Sequence, residues 1–212
     1  MPHLRPPLAV SASTSRQGVL LSWIAWVVLL IAWTQAATCG ETSAAATGRD
    51  PDTYPLRFKK HNFEALCYNT LDCQVIYDHT NHTLYGTGTP SPPPPSDDYK
   101  KKWGGASYLG VRNFPGPVRI DWTSKDGHSH RAQIDLSEIF KDELILHRTP
   151  IEAIPEKAFK GPAGEPEIFV EVNNRTVTVY MKMFIPTKEP QIAGNSRSHF
   201  RDDLIEAWRQ TY

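Results

Sequence analysis

Four histidines are the side chains in this chain best suited to binding a metal ion. His128 and His130 flank a predicted hairpin turn at a spacing that lets both point to one face, whereas His79 and His82 lie upstream. A protein metal site needs three or four ligands, and no pattern in the sequence brings the two pairs together. We therefore expect exposed turn histidines, no metal site and no cofactor.

Nucleophilic catalysis would need a serine or cysteine beside a base. The sequence contains no G-x-S-x-G elbow, no H-E-x-x-H pair, no phosphate-binding loop and no G-x-G-x-x-G segment. Asp121, Asp126 and Asp135 fit the polar positions of predicted strands and turns better than acid–base pairs. We expect no catalytic residue, and we place an enzyme last among the possible functions.

The charge balance argues against a nucleic-acid partner. The chain has 23 Lys and Arg residues against 23 Asp and Glu residues, so it is formally neutral. Nucleic-acid binding needs cations clustered on one face, and we interpret the short run at 100–102 as a solvated charge run.

Residues 1–38 have the pattern of an export signal. Arg5 and Arg16 precede a long apolar run, no charged residue occurs from Gly18 to Cys39, and small residues follow the run. Three outcomes stay open: cleavage after Ala36 or Ala37, retention as a membrane anchor, or lipidation of Cys39. All three place the remaining chain outside the cytoplasm, in the periplasm and possibly at the membrane.

The cysteines agree with an oxidising compartment. Cys67 and Cys73 are separated by five residues and can close a small loop, so we expect a disulfide between them. A zinc site is the rival interpretation, but it lacks a second pair of ligands.

The rest of the chain divides into a tether and one domain. Residues 39–55 are rich in Ala, Thr, Ser, Gly and Asp, which predicts a flexible tether, and residues 56–212 then form a single β-rich binding domain. The proline-rich run at 89–98 predicts an exposed polyproline-like loop, either a solvated insertion or a docking site for a partner.

Two hairpins are predicted by alternating apolar side chains. In the first, apolar residues alternate over 118–122 and 132–136 on either side of an Asp-Gly turn. In the second, they alternate over 168–172 and 177–183 around Asn173 and Asn174, and asparagine tolerates the positive φ of a two-residue loop. Phe169, Tyr180 and Phe184 lie on the opposite face, which is therefore either packed or a binding surface.

Helices are predicted to be few. Asp135 is placed to cap a short helix, Thr149 and Pro150 are placed to begin another, and Phe200, Leu204 and Trp208 recur every four residues. The expected fold is mainly β (α+β): an antiparallel sheet or sandwich of hairpins, a few short helices and a C-terminal amphipathic helix.

With these elements in place, residues 118–212 resemble the exported immunity proteins encoded beside type VI secretion lipase effectors. The resemblance rests on residues 117–127, 133–136 and 171–181, and the upstream part is similar to a related group of proteobacterial envelope lipoproteins. The segment before Cys39 departs from the usual lipobox. The resemblance implies a periplasmic protein that binds and neutralises a lipase-type toxin.

We therefore expect a binding protein whose partner is a protein toxin and which contacts the membrane through its N-terminus. The alternatives are a structural or assembly lipoprotein of the envelope, and a periplasmic domain that binds a metal or small ligand. Contact with a partner needs an apolar cluster with a polar rim. The residues expected to supply it are on the two hairpins: Lys125, Asp126, His128, His130, Phe169, Tyr180 and Phe184.

Overall fold

The computed structural model describes residues 53–83 and 88–212. The predicted export segment at 1–38, Cys39 and most of the predicted tether lie outside the described residues. At the end of that tether, Thr53 is already buried and Tyr54 packs against the core. Among the described residues no helix has the length and apolar character needed to cross a membrane.

The described chain is mainly β, as predicted. It has one four-residue α-helix, and two 3₁₀ turns at Tyr99–Lys102 and Ile151–Ala153. The elements in chain order are β1 Lys60–Tyr68, β2 Thr70–Tyr77, β3 Thr80–Asn81, β4 Tyr108–Arg112, β5 Val118–Ser124, β6 Ser129–Ile134, α1 Leu136–Ile139, β7 Glu167–Asn173, β8 Thr176–Lys182, β9 Ile185–Pro186, β10 Phe200–Arg201 and β11 Leu204–Thr211.

Two main sheets enclose one core. The first has the order β11-β8-β7-β1-β4, the second has the order β3-β2-β5-β6, and β9 pairs with β10 separately. Inward-facing side chains from both sheets form the core, because apolar residues alternate along each strand and only one face of a strand can point inward. The sheets are not wholly antiparallel as predicted, since β1 and β7 run parallel.

Both predicted hairpins are present. Strands β5 and β6 pair antiparallel around the Asp126–Gly127 turn, where Gly127 has a φ of 82°. Strands β7 and β8 pair antiparallel from Glu167 opposite Lys182 to Asn173 opposite Thr176. The two-residue loop is therefore Asn174 and Arg175, and Asn174 has the positive φ that asparagine tolerates.

The predicted C-terminal helix is wrong, because this segment is strand β11. It pairs antiparallel with β8, and the register shifts between Glu206 and Trp208. Ala207 is thus an extra residue, a β-bulge that brings both Ala207 and Trp208 against the core. Because of the bulge, apolar side chains along β11 do not alternate strictly. The four-residue spacing of Leu204 and Trp208 therefore resembles the period of a helix.

The short helices differ in how well they follow the prediction. Helix α1 begins as predicted, with the Asp135 side chain accepting a hydrogen bond from the Ser137 backbone N–H. The second is only a 3₁₀ turn, Pro150 precedes it, and no side chain caps it. The predicted role of Thr149 as a cap is therefore wrong. Its hydroxyl is buried without a hydrogen-bond partner among the described residues.

One histidine is fully buried in the core. The His61 ring lies 2.8 Å from Asn113 Oδ1 through Nδ1 and 3.0 Å from the Tyr77 hydroxyl through Nε2. The Asn113 amide nitrogen donates to the Phe58 carbonyl, which fixes Oδ1 as the atom that faces His61. Nδ1 therefore carries the proton, and Nε2 accepts from the Tyr77 hydroxyl. Burial lowers the pKa of His61, which keeps the ring neutral.

Candidate binding groove

One edge of β1 is paired at both ends and open in the middle. Strand β4 covers the first part, ending with Phe63 opposite Tyr108. At the far end the Asn69 backbone N–H donates to the Pro92 carbonyl at 3.1 Å. Between these closures lies the stretch from Glu64 to Tyr68, which no described strand covers on this side.

The pairing with β7 shows which backbone groups face the open edge. The Asn62 N–H donates to Pro166, and the Tyr68 carbonyl accepts from Asn174, so even-numbered residues of β1 direct their groups towards β7. The N–H and C=O groups of Ala65 and Cys67 therefore point the other way, because successive residues of a strand alternate. Within residues 53–83 and 88–212 no strand or loop backbone pairs with these four groups.

The open edge forms the floor of a groove of about 900 Å³. Its walls are the end of β3 with the residues after it, the start of β4 and the proline run, which contributes the prolines at 92–95. The proline run is exposed over most of its length, as predicted, but it is anchored at Ser91, which is buried and pairs with Thr70. Proline has no N–H, so this wall has no backbone donor to offer the carbonyls of Ala65 and Cys67.

Glu64 and His82 line the groove, and burial favours the neutral form of both. Burial raises the pKa of the Glu64 carboxyl, although the Ser107 backbone N–H donates to it and acts in the opposite direction. Burial also lowers the pKa of His82, whose Nε2–H donates to the Tyr77 carbonyl at 3.1 Å. The His82 ring lies edge-on to Phe63 and Tyr108. The groove is thus weakly charged and partly aromatic.

A disulfide between Cys67 and Cys73 fixes the end of the groove. It links β1 of the first sheet to β2 of the second, and only Asn69 lies between the two strands in sequence. Asn69 has a positive φ of 56°, and its amide donates to the Asn173 side chain at 2.8 Å. The covalent link and this hydrogen bond hold the open edge of β1 in place.

The predicted contact residues fall into three places. Phe169 and Tyr180 are buried beneath Trp103, with ring centroids 5.4 and 5.5 Å from it, so neither ring is exposed. They pack there because residues 99–106 cross the outer face of the first sheet; we call this segment the Trp103 strap. Phe184 is 54% exposed and stacks on Phe200 at 4.8 Å.

The first hairpin tip holds the other predicted residues. Lys125, Asp126 and His128 are exposed, and His130 is half-buried and stacks on Trp122. The Lys125 backbone N–H donates to the Asn174 side chain, which joins the tips of the two hairpins.

A serine, a histidine and an aspartate meet at this tip, but the directions of their hydrogen bonds do not suit catalysis. The Ser124 hydroxyl donates to the Asp126 carboxylate and lies 2.9 Å from His130 Nε2, so it accepts from the ring. A general base must instead take the serine proton, with the acid on its other nitrogen. Ser124 also has no exposed surface. Its hydrogen bond is the main reason that the pKa of Asp126 is lowered.

The four histidines discussed above do not converge. His79 and His82 lie beside β3, and His128 and His130 lie at the hairpin tip. The part of the chain that the structure describes contains no group of three or more His, Cys, Asp or Glu residues arranged to hold a metal ion.

Comparison with protein-family models, with curated proteins and with solved structures gives no match to this chain. The groove itself was missed by the sequence interpretation, because its key groups belong to the backbone. The only local signal was the proline run, which marks a segment that cannot pair as a strand.

Proposed function

We propose that this chain is an exported binding protein that captures an extended segment of a partner protein by adding it to the open edge of β1. One observation carries the proposal: the backbone groups of Ala65 and Cys67 face a groove of about 900 Å³ with no backbone partner in the described part of the chain. Backbone donors and acceptors on an open strand edge can pair with those of an added strand.

The spacing of these groups favours a peptide strand over a small ligand. Two N–H and C=O pairs, two residues apart, match the repeat with which a neighbouring strand presents its own groups. The gap runs from Phe63 to Asn69, which at about 3.3 Å per residue accommodates a strand of roughly four to six residues. Side chains of such a strand would meet aromatic, proline and weakly charged walls.

The resemblance of residues 118–212 to lipase-effector immunity proteins suggests the kind of partner. We propose that the partner is a lipase-type toxin and that binding occurs in the periplasm, with the N-terminal segment as the route of export. The Cys67–Cys73 disulfide supports an oxidising compartment. The exposed Phe184 and the Lys125–His128 tip are further candidates for contact at the rim of the interface.

A protection assay with matched variants tests this function. Cells that direct a lipase-type toxin to the periplasm would carry the full wild-type chain, Ser107→Trp or Ser129→Trp. Ser107 is exposed at the groove, and Ser129 is exposed on β6 outside it, so only the first tryptophan obstructs the groove. We expect wild type and Ser129→Trp to protect the cells and Ser107→Trp to fail.

Hydrogen exchange supplies the structural readout. Addition of a strand should slow exchange of the Ala65 and Cys67 amides by about a hundredfold or more, while the amides of Glu64 and Leu66, already paired with β7, change little. Equal protection by all three chains would refute the role of the groove.

The envelope-assembly alternative uses the same observation, because addition of a strand to an open edge is also how some assembly proteins hold their clients. Failure of the wild-type chain to protect cells rules out immunity. Slowed exchange at Ala65 and Cys67 on adding an envelope protein, together with that failure, would favour the assembly role.

A further inference from the structure

A second concave site lies away from the groove, at β8 and β11. It is a hollow of about 600 Å³, and we call it the basic hollow. Five cations line it against two acids: Lys100, Lys101, Arg148, Lys182 and Arg209 against Asp202 and Glu206. With the buried Glu171 beneath it and Asp98, the partner of Lys101, also counted, the local balance is one positive charge, in a chain that is neutral as a whole.

Its floor is held in place by buried contacts. Lys100 Nζ lies 2.7 Å from the Glu171 carboxylate and 4.6 Å from the centre of the Tyr180 ring. Burial opposes the charge of Lys100, but hydrogen bonds to Glu171 and Tyr180 raise its pKa overall, so this ammonium stays protonated. Lys182, whose side chain is 15% exposed, donates to the Trp103 carbonyl and pairs with Asp202 at 3.0 Å.

At the rim of the basic hollow lie cations that are unpaired or only weakly paired. Arg148 is exposed and has no hydrogen-bond or ion-pair partner among the described residues. Lys101 is 80% exposed and has only a long pair with Asp98, at 3.7 Å. Arg209, by contrast, is held by both oxygens of Glu206. At the rim, Arg148 is therefore unpaired and Lys101 only weakly paired, above a floor whose cations are held by carboxylates.

We propose that the basic hollow binds a phosphate monoester dianion. The hollow has an excess of positive charge, the arginine fork of Arg148 suits phosphate oxygens, and the exposed ammonium of Lys101 supplies a second cation. The phosphate could come from a soluble ester or from the headgroup of a lipid that carries a terminal phosphate. The site is separate from the groove on β1, and it does not depend on the function proposed above.

Calorimetry tests the proposal, with the full chain in a mild detergent and inorganic phosphate as the probe. We expect saturable binding that weakens as salt rises, and about tenfold weaker binding for Arg148→Gln. Lys101→Gln should weaken it as well. The control is Arg131→Gln. Arg131 is an exposed arginine on β6, outside the hollow, where it pairs with Asp121 of β5.

Vesicles distinguish the two sources of phosphate. Stronger sedimentation with phosphatidylcholine vesicles containing phosphatidic acid than with phosphatidylcholine alone, reduced by Arg148→Gln, supports the lipid headgroup. Phosphate binding without that difference supports a soluble ester. Absence of saturable phosphate binding, or equal affinity in Arg148→Gln and Arg131→Gln, would overturn the proposal.

Discussion

Replacing Tyr77 with phenylalanine removes a single buried hydroxyl from the core. That hydroxyl donates to His61 Nε2 at 3.0 Å, and the two residues are 1% and 0% exposed. The variant keeps the aromatic ring, whose centre lies 4.5 Å from that of Phe63, so it creates no large cavity. What changes is that His61 Nε2 becomes a buried acceptor without a donor.

The expected loss follows from that unpaired acceptor. A buried polar group left without its partner costs about 1–3 kcal/mol, so we expect the free energy of unfolding to fall by about 2 kcal/mol. For a domain of this size, each 1 kcal/mol lowers the melting temperature by about 2–4 °C, which gives a shift of roughly 4–8 °C. Urea unfolding followed by tryptophan fluorescence measures the free energy directly.

The same residue makes a prediction about pH. Burial lowers the pKa of His61 and of His82, so both rings bind protons more weakly in the folded state than in the unfolded state. The free energy of unfolding therefore decreases as pH falls below about 6.5, by up to about 1.4 kcal/mol per pH unit for the fully buried His61 and by less for the half-buried His82. This slope should persist in Tyr77→Phe, because burial and not the hydroxyl is its main cause.

The control is Tyr108→Phe. The Tyr108 hydroxyl donates to Asp78 Oδ2 at 2.9 Å, but Tyr108 is only half-buried and water can replace the bond. We expect a loss below about 1 kcal/mol. If Tyr77→Phe is as stable as wild type, or loses no more than Tyr108→Phe, the assignment of His61 Nε2 as a buried acceptor is wrong.

Three further predictions concern the groove and the Trp103 strap. Exchange measured on the free chain should be at least about a thousandfold faster for the Ala65 amide than for its hydrogen-bonded neighbours in β1, and equal rates would contradict an open edge. Lys100→Met should cost about 2 kcal/mol in urea unfolding, because it leaves the carboxylate of Glu171 buried without its cation, whereas Lys101→Met at an exposed pair should cost below about 0.5 kcal/mol. Replacing both Cys67 and Cys73 by serine should lower the free energy of unfolding by about 2 kcal/mol and speed exchange along the groove, and an unchanged midpoint would contradict this.

The two hairpins could be predicted because their signals are local. Alternating apolar residues and a turn dipeptide lie within about 20 residues of each other, and adjacent strands of this kind pair with their neighbours in sequence. The Cys67–Cys73 pair is equally local. These features need no knowledge of the rest of the chain.

The C-terminal strand and the candidate sites depend on distant parts of the chain. Strand β11 needs the free edge of β8, and the bulge at Ala207 hides its period. The open edge depends on β1 pairing in parallel with β7, about a hundred residues later in the chain. Glu171 is an ordinary strand carboxylate in sequence, and it becomes a buried partner of Lys100 only because the Trp103 strap crosses the sheet.

The proline wall explains how β1 can keep an open edge without inviting unrestricted pairing. An exposed strand edge is normally a hazard, because any extended chain can add to it. Here the opening is limited to two residues, Ala65 and Cys67, between β4 on one side and the bond from Asn69 to Pro92 on the other. The prolines that follow Pro92 have no N–H, so this wall limits access without donating to the edge. The segment that we propose to enter must therefore be short and extended, which are conditions for a selective contact.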